Sequence, residues 1–325
     1  GLNIKRSPLC GRNFEYYSED PLLVGEMAAA FIKGVQSQSV GTSVKHYLAN
    51  NQETRRMSVS VDADERTLRE IYMPAFEIAV TKARPWTVMC AYNKIDGTYV
   101  AQSEKYLTEV LRDEWGFDGF VMSDWGAVND RVPDLTAGLD LEMPFSGGWR
   151  DGEIVSAIKA GSLDEKALDT AVERILTIVF RAAEGRREAV FDKKADHALA
   201  RRSAAESAVL LKNDGLLPLD ENKKIVFIGQ YAAAPHYQGG GSSHIHSAFI
   251  TSAISAAPNG IIYAQGFDDK EEALNAGLLK EALEVAKDAE VAVIFAGLPD
   301  ALESESFDRI HMKLPESQNR LIEKI

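Results

Sequence analysis

Cysteines are scarce in this chain, and long apolar runs are missing from it. Its 325 residues include two cysteines, Cys10 and Cys90, which lie in unlike contexts and form no metal-binding or redox motif. We therefore expect buried thiols rather than a disulfide framework, and the low cysteine content favours a cytoplasmic location. No run of apolar residues approaches the ~20 that a membrane-spanning helix needs, so a membrane is not an expected partner.

Basic residues are outnumbered by acidic ones, with 36 Lys and Arg against 49 Asp and Glu and a net charge of −13. Nucleic acids and anionic membrane surfaces both attract basic patches, so neither is expected to bind. The first half has no Gly-x-Gly-x-x-Gly after a strand, which disfavours a dinucleotide-binding fold. The expected partner is a small molecule, and a homo-oligomer is left open.

The stretch 116–126, Gly-Phe-Asp-Gly-Phe-Val-Met-Ser-Asp-Trp-Gly, joins a buried-strand pattern to a carboxylate. Phe120, Val121 and Met122 are continuously apolar, as in a strand of a parallel sheet. Asp124 follows at the C-terminal end, where α/β folds display catalytic side chains. Beside a flat aromatic ring, a carboxylate suits sugar chemistry because it can attack or stabilise a cationic carbon. The alternative is that Asp124 caps the next helix.

Strand and helix patterns alternate along the chain, which predicts an α/β fold with parallel sheets. In the first half, apolar strands at 42–47, 87–92 and 119–123 each end in polar residues. A partial (β/α) TIM-like barrel is the favoured architecture for this half. The amphipathic segment 64–82 between two of these strands is predicted as one long helix. A helix that Asp20 caps and Pro21 begins is predicted to run to about Val35. A further helix is predicted over 127–136, followed by a strand end at 139–144.

A charged, linker-like segment separates this half from a second α/β pattern. The predicted organisation is a partial barrel domain over 1–185, a linker and connecting helix over 186–207, and an incomplete α/β sandwich domain over 208–325. In the second domain, strands are predicted at 208–212, 224–229, 260–265 and 290–297, and helices at 247–257 and 270–287.

Further polar side chains follow strands or lie in loops, and each has a structural alternative. They are Lys45, His46 and Tyr92 at strand ends, and Arg12, Ser242, Glu303 and Glu305 in loops. Strand-end groups either bind sugar hydroxyls or complete the packing, and loop groups either contact a ligand or form surface ion pairs. The glycine-rich loop around Ser242 lacks the Gly-Lys-Ser/Thr ending of a phosphate loop, and His244 and His246 alone supply too few ligands for a metal.

Collinear motifs extend over nearly the whole chain. They are Gly-Arg-Asn-Phe-Glu (11–15), Ser-Glu-Asp-Pro (18–21), Lys-His-Tyr (45–47), Asn-Asn-Gln-Glu (50–53), Asp-Glu-Arg-Thr-Leu-Arg-Glu (64–70), Met-Cys-Ala-Tyr-Asn (89–93), Ser-Asp-Trp (123–125), Gly-Gly-Gly-Ser-Ser (239–243) and Glu-Ser-Glu-Ser-Phe-Asp-Arg (303–309). Together they resemble the family 3 glycoside hydrolases, specifically the multidomain β-glucosidases.

This resemblance implies a retaining, exo-acting β-glucosidase that needs neither a metal nor an organic cofactor. Asp124 matches the nucleophile of the barrel, and Glu305 matches the acid/base of the second domain. Residues that match the sugar pocket are Arg12, Lys45, His46, Met89, Tyr92, Trp125 and Ser242, with Ser243 as a rival to Ser242. We expect cationic neighbours to keep Asp124 ionised and desolvation to keep Glu305 protonated.

Two departures from the family pattern accompany the resemblance. Ser306 stands where a glycine commonly follows the acid/base. A sugar-binding Asp that the family carries before the region of Gly1, and a C-terminal fibronectin-like domain, have no counterpart, so we expect missing sequence at both ends.

Other activities stay open beside the β-glucosidase. Within the family these are β-xylosidase or α-arabinofuranosidase activity and β-N-acetylhexosaminidase activity. The last is disfavoured because Leu-Ala-Asn-Asn follows Tyr47, where those enzymes carry a Gly-His pair. A non-catalytic sugar-binding protein would keep the pocket and lose a carboxylate, whereas both carboxylates are present here.

Overall fold

The computed structural model describes residues 1–271 and 273–325, which divide into two compact units. The first unit comprises Gly1–Arg186, Gln238–Ile245 and Asp300–Met312. The second unit comprises Arg187–Tyr237, His246–Pro299 and Lys313–Ile325. The loops that carry Ser242 and Glu305 therefore belong to the same unit as Asp124.

A three-stranded parallel sheet organises the first unit. Its strands are β1 (Ser43–Tyr47), β3 (Thr87–Cys90) and β6 (Phe120–Ser123), in the order β1-β3-β6. A single parallel bridge from Met122 to Leu141 continues the sheet, so the predicted strand near 139–144 is reduced to one pairing. All three strands end at the same edge, which gathers their polar C-terminal residues.

Helices and a small second sheet surround this sheet. The short strands β2 (Ser60–Val61), β4 (Lys94–Ile95) and β5 (Thr98–Tyr99) form that sheet. The helices are α1 (Pro21–Gln36), α2 (Glu65–Thr67), α3 (Pro74–Ala83), α4 (Arg131–Ala137), α5 (Trp149–Ala160) and α6 (Glu165–Glu184), with wider helical turns at Leu68–Tyr72 and Lys105–Glu114 and tight turns at Asn13–Glu15 and Val100–Gln102. As predicted, α1 has Pro21 at its first position and Asp20 as its cap.

Two predicted helices of the first unit differ in the structure. The segment 64–82 is interrupted at Met73, where Pro74 begins α3; proline has no backbone N–H with which to continue a helix. The helix predicted from Ala127 begins instead at Arg131, because the side chain of Asp130 accepts the N–H of Val132 and starts α4 there.

The core of the first unit lies between the sheet and its helices. The sheet contributes the fully buried side chains of Val88 and Val121, and the segment after α4 contributes Leu139. The helical segments contribute Phe76 and Leu107, which are also fully buried. Burying a side chain of this kind contributes about 1.5–3 kcal/mol, so this cluster stabilises the strand ends that carry polar groups.

The second unit contains another parallel sheet. In it β7 (Ile225–Ile228) lies between β8 (Ile262–Ala264) and β9 (Val291–Ile294). Its helices are α7 (Lys193–Glu206), α8 (Ala253–Ala256), α9 (Ala276–Lys287) and α10 (Glu316–Lys324), with a tight turn at Gln230–Ala232. Both units are therefore α/β, as the alternating pattern predicts. No helix within 1–271 or 273–325 has the length and apolar character to cross a membrane.

Three predictions for the second unit need correction. The segment 208–212 forms no strand: Val209 and Leu211 are largely exposed and carry no ladder hydrogen bonds in the described chain. The helix predicted over 247–257 is confined to α8, which Ser252 caps. The helix predicted from 270 begins at Ala276, and Glu272 lies outside the described residues.

Candidate active site

Asp124 stands at the end of β6 with its two carboxylate oxygens in different environments. Oδ1 accepts the backbone N–H of Trp125 at 2.7 Å. Oδ2 is buried, has no hydrogen-bond partner within the described residues, and lies 3.5 Å from Nε2 of His46. The next helix is capped by Asp130, so the alternative in which Asp124 serves as that cap is wrong. One oxygen is thus held while the other is available for chemistry.

The pKa of Asp124 is shaped by opposing effects. Burial raises it, while the Trp125 N–H, the nearby Tyr92 hydroxyl and the charges of Arg12 and Lys45 lower it. The net direction is upward from the ordinary value of 3.8. The cationic neighbours therefore act in the expected direction, but burial outweighs them.

His46 is 1% exposed and packs its imidazole against Asp124. Its backbone N–H donates to Oδ1 of Asn3 at 2.9 Å, and its Nδ1 lies 3.4 Å from the hydroxyl of Tyr16. Burial lowers the pKa of His46 well below 6.5, and the charges of Arg12 and Lys45 lower it further. The imidazole is consequently neutral, so it faces Asp124 as an uncharged ring rather than as a cation.

Arg12 and Lys45 share one carboxylate. Nε of Arg12 lies 2.5 Å from Oε1 of Glu15, and Nζ of Lys45 lies 2.9 Å from Oε2 of the same residue. Arg12 is 2% exposed, and its Nη1 has no hydrogen-bond partner among the residues described. That nitrogen lies 4.0 Å from Oε1 of Glu305. Glu15 thus holds the two cations, and an unused donor of Arg12 is directed towards Glu305.

Glu305 accepts hydrogen bonds on both oxygens. Oε2 accepts the backbone N–H of Ser242 at 3.0 Å and also the Ser242 hydroxyl, so Ser242 is the serine that contacts this carboxylate. Oε1 accepts Nη1 of Arg56 at 2.8 Å. Burial raises the pKa of Glu305, but the bonds from Ser242 and Arg56 outweigh it and lower the pKa to about 2. The expectation that desolvation keeps Glu305 protonated is wrong for this sugar-free arrangement.

The other predicted pocket residues lie around the same strand ends. Tyr92 is buried, with the guanidinium of Arg56 4.7 Å from its ring centroid, and burial beside Asp124 raises its pKa. Met89 is partly buried in β3, in register with Met122 of β6. Trp125 is 49% exposed, so its ring is available to a ligand.

Sequence reasoning gave no role to Glu53 and Arg56. The Glu53 side chain is only 1% exposed; its Oε2 accepts Nη1 of Arg56 at 2.7 Å and the backbone N–H of Ser306 at 2.8 Å. Ser306 has a φ of +89°, in the region that favours glycine, and still makes this bond. Glu53 is the last residue of the motif 50–53, so the sequence did mark its position as one to consider. Arg56 lies outside every motif.

Asp308 was also missed as an individual residue, although it lies in the motif 303–309. Its Oδ1 accepts the backbone N–H of Gly11 at 3.1 Å and that of Glu53 at 2.9 Å. Its Oδ2 accepts the backbone N–H of Thr54 at 2.8 Å. These bonds hold the loop that carries Glu305 against the loops at Gly11 and Glu53. Among residues 1–271 and 273–325, no group of three His, Cys, Asp or Glu side chains is arranged to hold a metal ion.

Sequence comparison assigns both halves of the chain to one family. The profile of the glycosyl hydrolase family 3 N terminal domain matches residues 2–178, and that of the family 3 C-terminal domain matches residues 208–325. Thermostable beta-glucosidase B of Acetivibrio thermocellus is 56% identical over the whole chain, which covers 44% of that protein. An exo-alpha-(1->6)-L-arabinopyranosidase of Bifidobacterium longum is 48% identical over the whole chain, which covers 45% of that relative.

Solved structures that superpose on this chain include beta-glucosidases. A family 3 beta-glucosidase of Bifidobacterium adolescentis superposes with a TM-score of 0.94 and 47% identity, covering 99% of this chain and 48% of its own. Beta-glucosidase 3B of Thermotoga neapolitana in complex with α-D-glucose superposes with a TM-score of 0.88 and 39% identity, covering 99% of this chain and 50% of its own. The chain therefore spans about half the length of these relatives.

Proposed function

The chain belongs to glycoside hydrolase family 3, and on that premise we propose that it carries the catalytic centre of a retaining, exo-acting β-glucosidase. The observation that supports this most strongly is the pair Asp124 and Glu305. They are two largely buried carboxylates in one compact unit, with different environments. Retaining hydrolysis needs such a pair, one carboxylate to attack and one to exchange protons.

In the proposed reaction Asp124 is the nucleophile. Its Oδ2 attacks the anomeric carbon while Glu305, as a carboxylic acid, gives its proton to the glycosidic oxygen and that C–O bond breaks. In the second step water attacks the same carbon, Glu305 takes the proton of the water, and the bond to Asp124 breaks. Two inversions leave the sugar with its original β configuration.

The remaining predicted pocket residues are proposed to hold the terminal sugar. Arg12, Lys45 and His46 present buried or half-buried donors near Asp124, which suits ring hydroxyls. Trp125 offers an exposed ring for the apolar face of a sugar. Met89, Tyr92 and Ser242 complete the pocket in this proposal; no cofactor takes part, and the expected ligand is a small β-glucoside or oligosaccharide.

The wider architecture is part of the same proposal. We infer that the parallel sheet β1-β3-β6 with its helices is a portion of a TIM-like barrel, followed by an α/β sandwich. The domain limits proposed are 1–185, 186–207 and 208–325, which are close to the ranges that the two family profiles match. In this view the acid/base loop is supplied by the C-terminal family domain.

The proposal is tested with the full-length protein and a β-glucoside followed by NMR. β-Glucose as the first product would support retention, and α-glucose would contradict it. Retention also requires the carboxyl groups of Asp124 and Glu305 to approach ~5–5.5 Å with sugar bound, rather than the ~6.5–9.5 Å of inverting enzymes. Sugar binding without release of an aryl group would indicate a non-catalytic sugar-binding protein.

A pentosidase is the second candidate, because a relative with 48% identity is named an exo-alpha-(1->6)-L-arabinopyranosidase. Pyranosides of glucose, xylose and arabinose differ chiefly in the groups at the ring edge, so one pair of carboxylates can serve all three. A panel of aryl β-glucoside, β-xyloside, α-L-arabinopyranoside, α-L-arabinofuranoside and N-acetyl-β-glucosaminide would separate these activities by kcat/KM. We expect the β-glucoside to give the highest value.

A further inference from the structure

One nitrogen atom of Arg56 is shared by two carboxylates. Nη1 lies 2.7 Å from Oε2 of Glu53 and 2.8 Å from Oε1 of Glu305. Charge-assisted bonds of this length are among the stronger polar contacts in proteins. Arg56 therefore links the candidate acid/base to a second acidic side chain that the proposed reaction does not use.

Glu53 is the fixed partner of this pair of carboxylates. Its side chain is 1% exposed against 13% for Glu305, and it also accepts the backbone N–H of Ser306. A buried carboxylate that loses its counter-ion carries a large desolvation penalty, so Glu53 retains Arg56. The guanidinium also packs 4.7 Å from the ring centroid of Tyr92, which restricts its direction further.

The direct contacts of the Glu305 carboxylate are hydrogen-bond donors and cations. Arg56 and Ser242 donate to it, and Nη1 of Arg12 lies 4.0 Å away. The charged or titratable groups coupled to this cluster are Arg12, Glu15, Glu53, Tyr92 and Asp124. Arg12 is neutralised by Glu15, whereas Arg56 serves Glu53 and Glu305 with one nitrogen. Beside the bonds from Ser242, Arg56 is thus the cationic contact that favours the carboxylate form of Glu305.

We propose that Arg56, anchored by Glu53, is a positioning residue that holds Glu305 as a carboxylate in the sugar-free enzyme. When a substrate binds, Arg56 releases Glu305, which then bonds to the glycosidic oxygen instead. This inference rests on the proposed role of Glu305 as acid/base. The carboxylate form suits the second step, in which Glu305 accepts a proton from water. The first step requires Glu305 to take a proton from solvent and to exchange its bond with Arg56 for one with the glycosidic oxygen.

The pH profile of kcat/KM for cellobiose tests this inference through the limb that belongs to Glu305, which is the limb absent from the profile of dinitrophenyl glucoside because that leaving group needs no acid. That limb reports ionisation of Glu305 in the free enzyme, so weakening the Arg56 contact should let Glu305 keep its proton to higher pH. In Arg56→Gln we expect the limb to move upward by roughly one pH unit or more, the range for loss of a nearby opposite charge. Arg56→Lys keeps the charge and should leave the limb near its wild-type position.

Arg55→Gln is the matched control, because it removes an exposed arginine from the same loop. Its limb should coincide with that of the wild type. Since Arg56→Gln leaves the buried Glu53 without a counter-ion, the double variant Glu53→Gln/Arg56→Gln is measured beside it. This variant removes both charges together, and it should also move the limb upward, but by less than Arg56→Gln does, because the nearby negative charge of Glu53 is lost as well.

A limb that stays at the wild-type pH in the folded variants, with folding checked by thermal melting, would overturn the inference. So would an equal shift in Arg55→Gln. Failure of the proposed function has a different signature, because Glu305→Ala would then lose activity equally on cellobiose and on dinitrophenyl glucoside. The positioning role of Arg56 and the acid/base role of Glu305 are thus decided by separate measurements.

Discussion

Nε2 of His46 lies 3.5 Å from Oδ2 of Asp124, and both side chains are buried. Burial lowers the pKa of His46 well below its ordinary value, so the imidazole is uncharged beside the carboxylate. A cationic histidine at this distance would hold the carboxylate in an ion pair and weaken it as a nucleophile. The neutral ring instead orders Asp124 and leaves its negative charge available to an anomeric centre.

Replacing His46 with Ala should lower kcat/KM for β-glucosides without unfolding the protein. Loss of a buried hydrogen-bonding partner costs about 1–3 kcal/mol, and more where the partner is charged. Turnover of an aryl glucoside and inhibition by glucose measure the effect, with the exposed His197 changed to Ala as the control. Unchanged turnover and inhibition in His46→Ala would assign this histidine to packing alone.

The two carboxylates should respond differently to the leaving group. Asp124→Ala should be nearly inactive on every glucoside, because no glycosyl-enzyme can form without the nucleophile. Glu305→Ala should lose far more activity on cellobiose than on dinitrophenyl glucoside, since a good leaving group departs without protonation. Azide should partly restore Glu305→Ala on the activated substrate and yield β-glucosyl azide, because a small anion attacks without general-base help.

Glu303 provides the control for that experiment, because it lies two residues earlier in the same loop. Glu303→Ala should behave close to wild type. If it showed the leaving-group dependence and the azide rescue in place of Glu305→Ala, the acid/base would be Glu303. If neither variant showed them, the acid would lie outside this loop.

Gly11 cannot gain a side chain without moving the loop that carries Glu305. A Cβ at this position would lie 1.8 Å from the carbonyl oxygen of Phe307 and 2.3 Å from that of Ser304. Gly11→Ala should therefore displace the loop and lower kcat/KM for cellobiose more than that for dinitrophenyl glucoside. Gly34→Ala is the control: a Cβ in that helix meets nothing within 4 Å and should stabilise the protein by about 0.5–1 kcal/mol. Equal activity in Gly11→Ala and wild type would contradict the close approach.

Asp134 should make the stability of the protein fall as pH rises. It is fully buried, and burial raises its pKa to about 7 against the opposing effects of the Gln102 side chain and the Arg131 charge. The unfolded carboxyl titrates near 3.8, so the folded state binds more protons between the two values. Its contribution is full below about 3.8 and is lost as pH rises through about 7. The difference amounts to roughly 4 kcal/mol at most.

Thermal melting across that pH range measures this effect. Asp134→Asn removes the titrating group and should flatten the decline in Tm. Asp118→Asn, at an exposed position, should keep the wild-type profile. An identical decline in Asp134→Asn and wild type would assign the pH dependence to other groups.

Local signals in the sequence accounted for much of the fold. The apolar run at 120–122 predicts β6, and Asp20 followed by Pro21 predicts the start of α1, because both depend on neighbours in sequence. The segment 208–212 misled the strand prediction, because its apolar pattern has no partner strand in the described chain and propensity alone does not create one. Pro74 in the sequence indicates the interruption of the helix over 64–82. The apolar face of that segment predicts a continuous helix only if this proline is ignored.

The candidate site was predictable where residues follow a strand and not where contacts span the chain. Asp124 and His46 belong to strand ends, and the structure places them together. Arg56 contacts Glu305 across 249 positions of sequence, and nothing in its local setting distinguishes it from Arg55. The pKa of Glu305 depends on such contacts, which is why desolvation alone gave the wrong direction.

Asp308 ties its loop to main-chain N–H groups of Gly11, Glu53 and Thr54. A main-chain donor is the same whichever side chain the residue carries, proline excepted. The three main-chain bonds would therefore survive replacement of the Thr54 side chain, which itself contacts Asp308. Mutations that redirect the backbone at these positions are consequently expected to move Glu305 more than a change of the side chain at position 54.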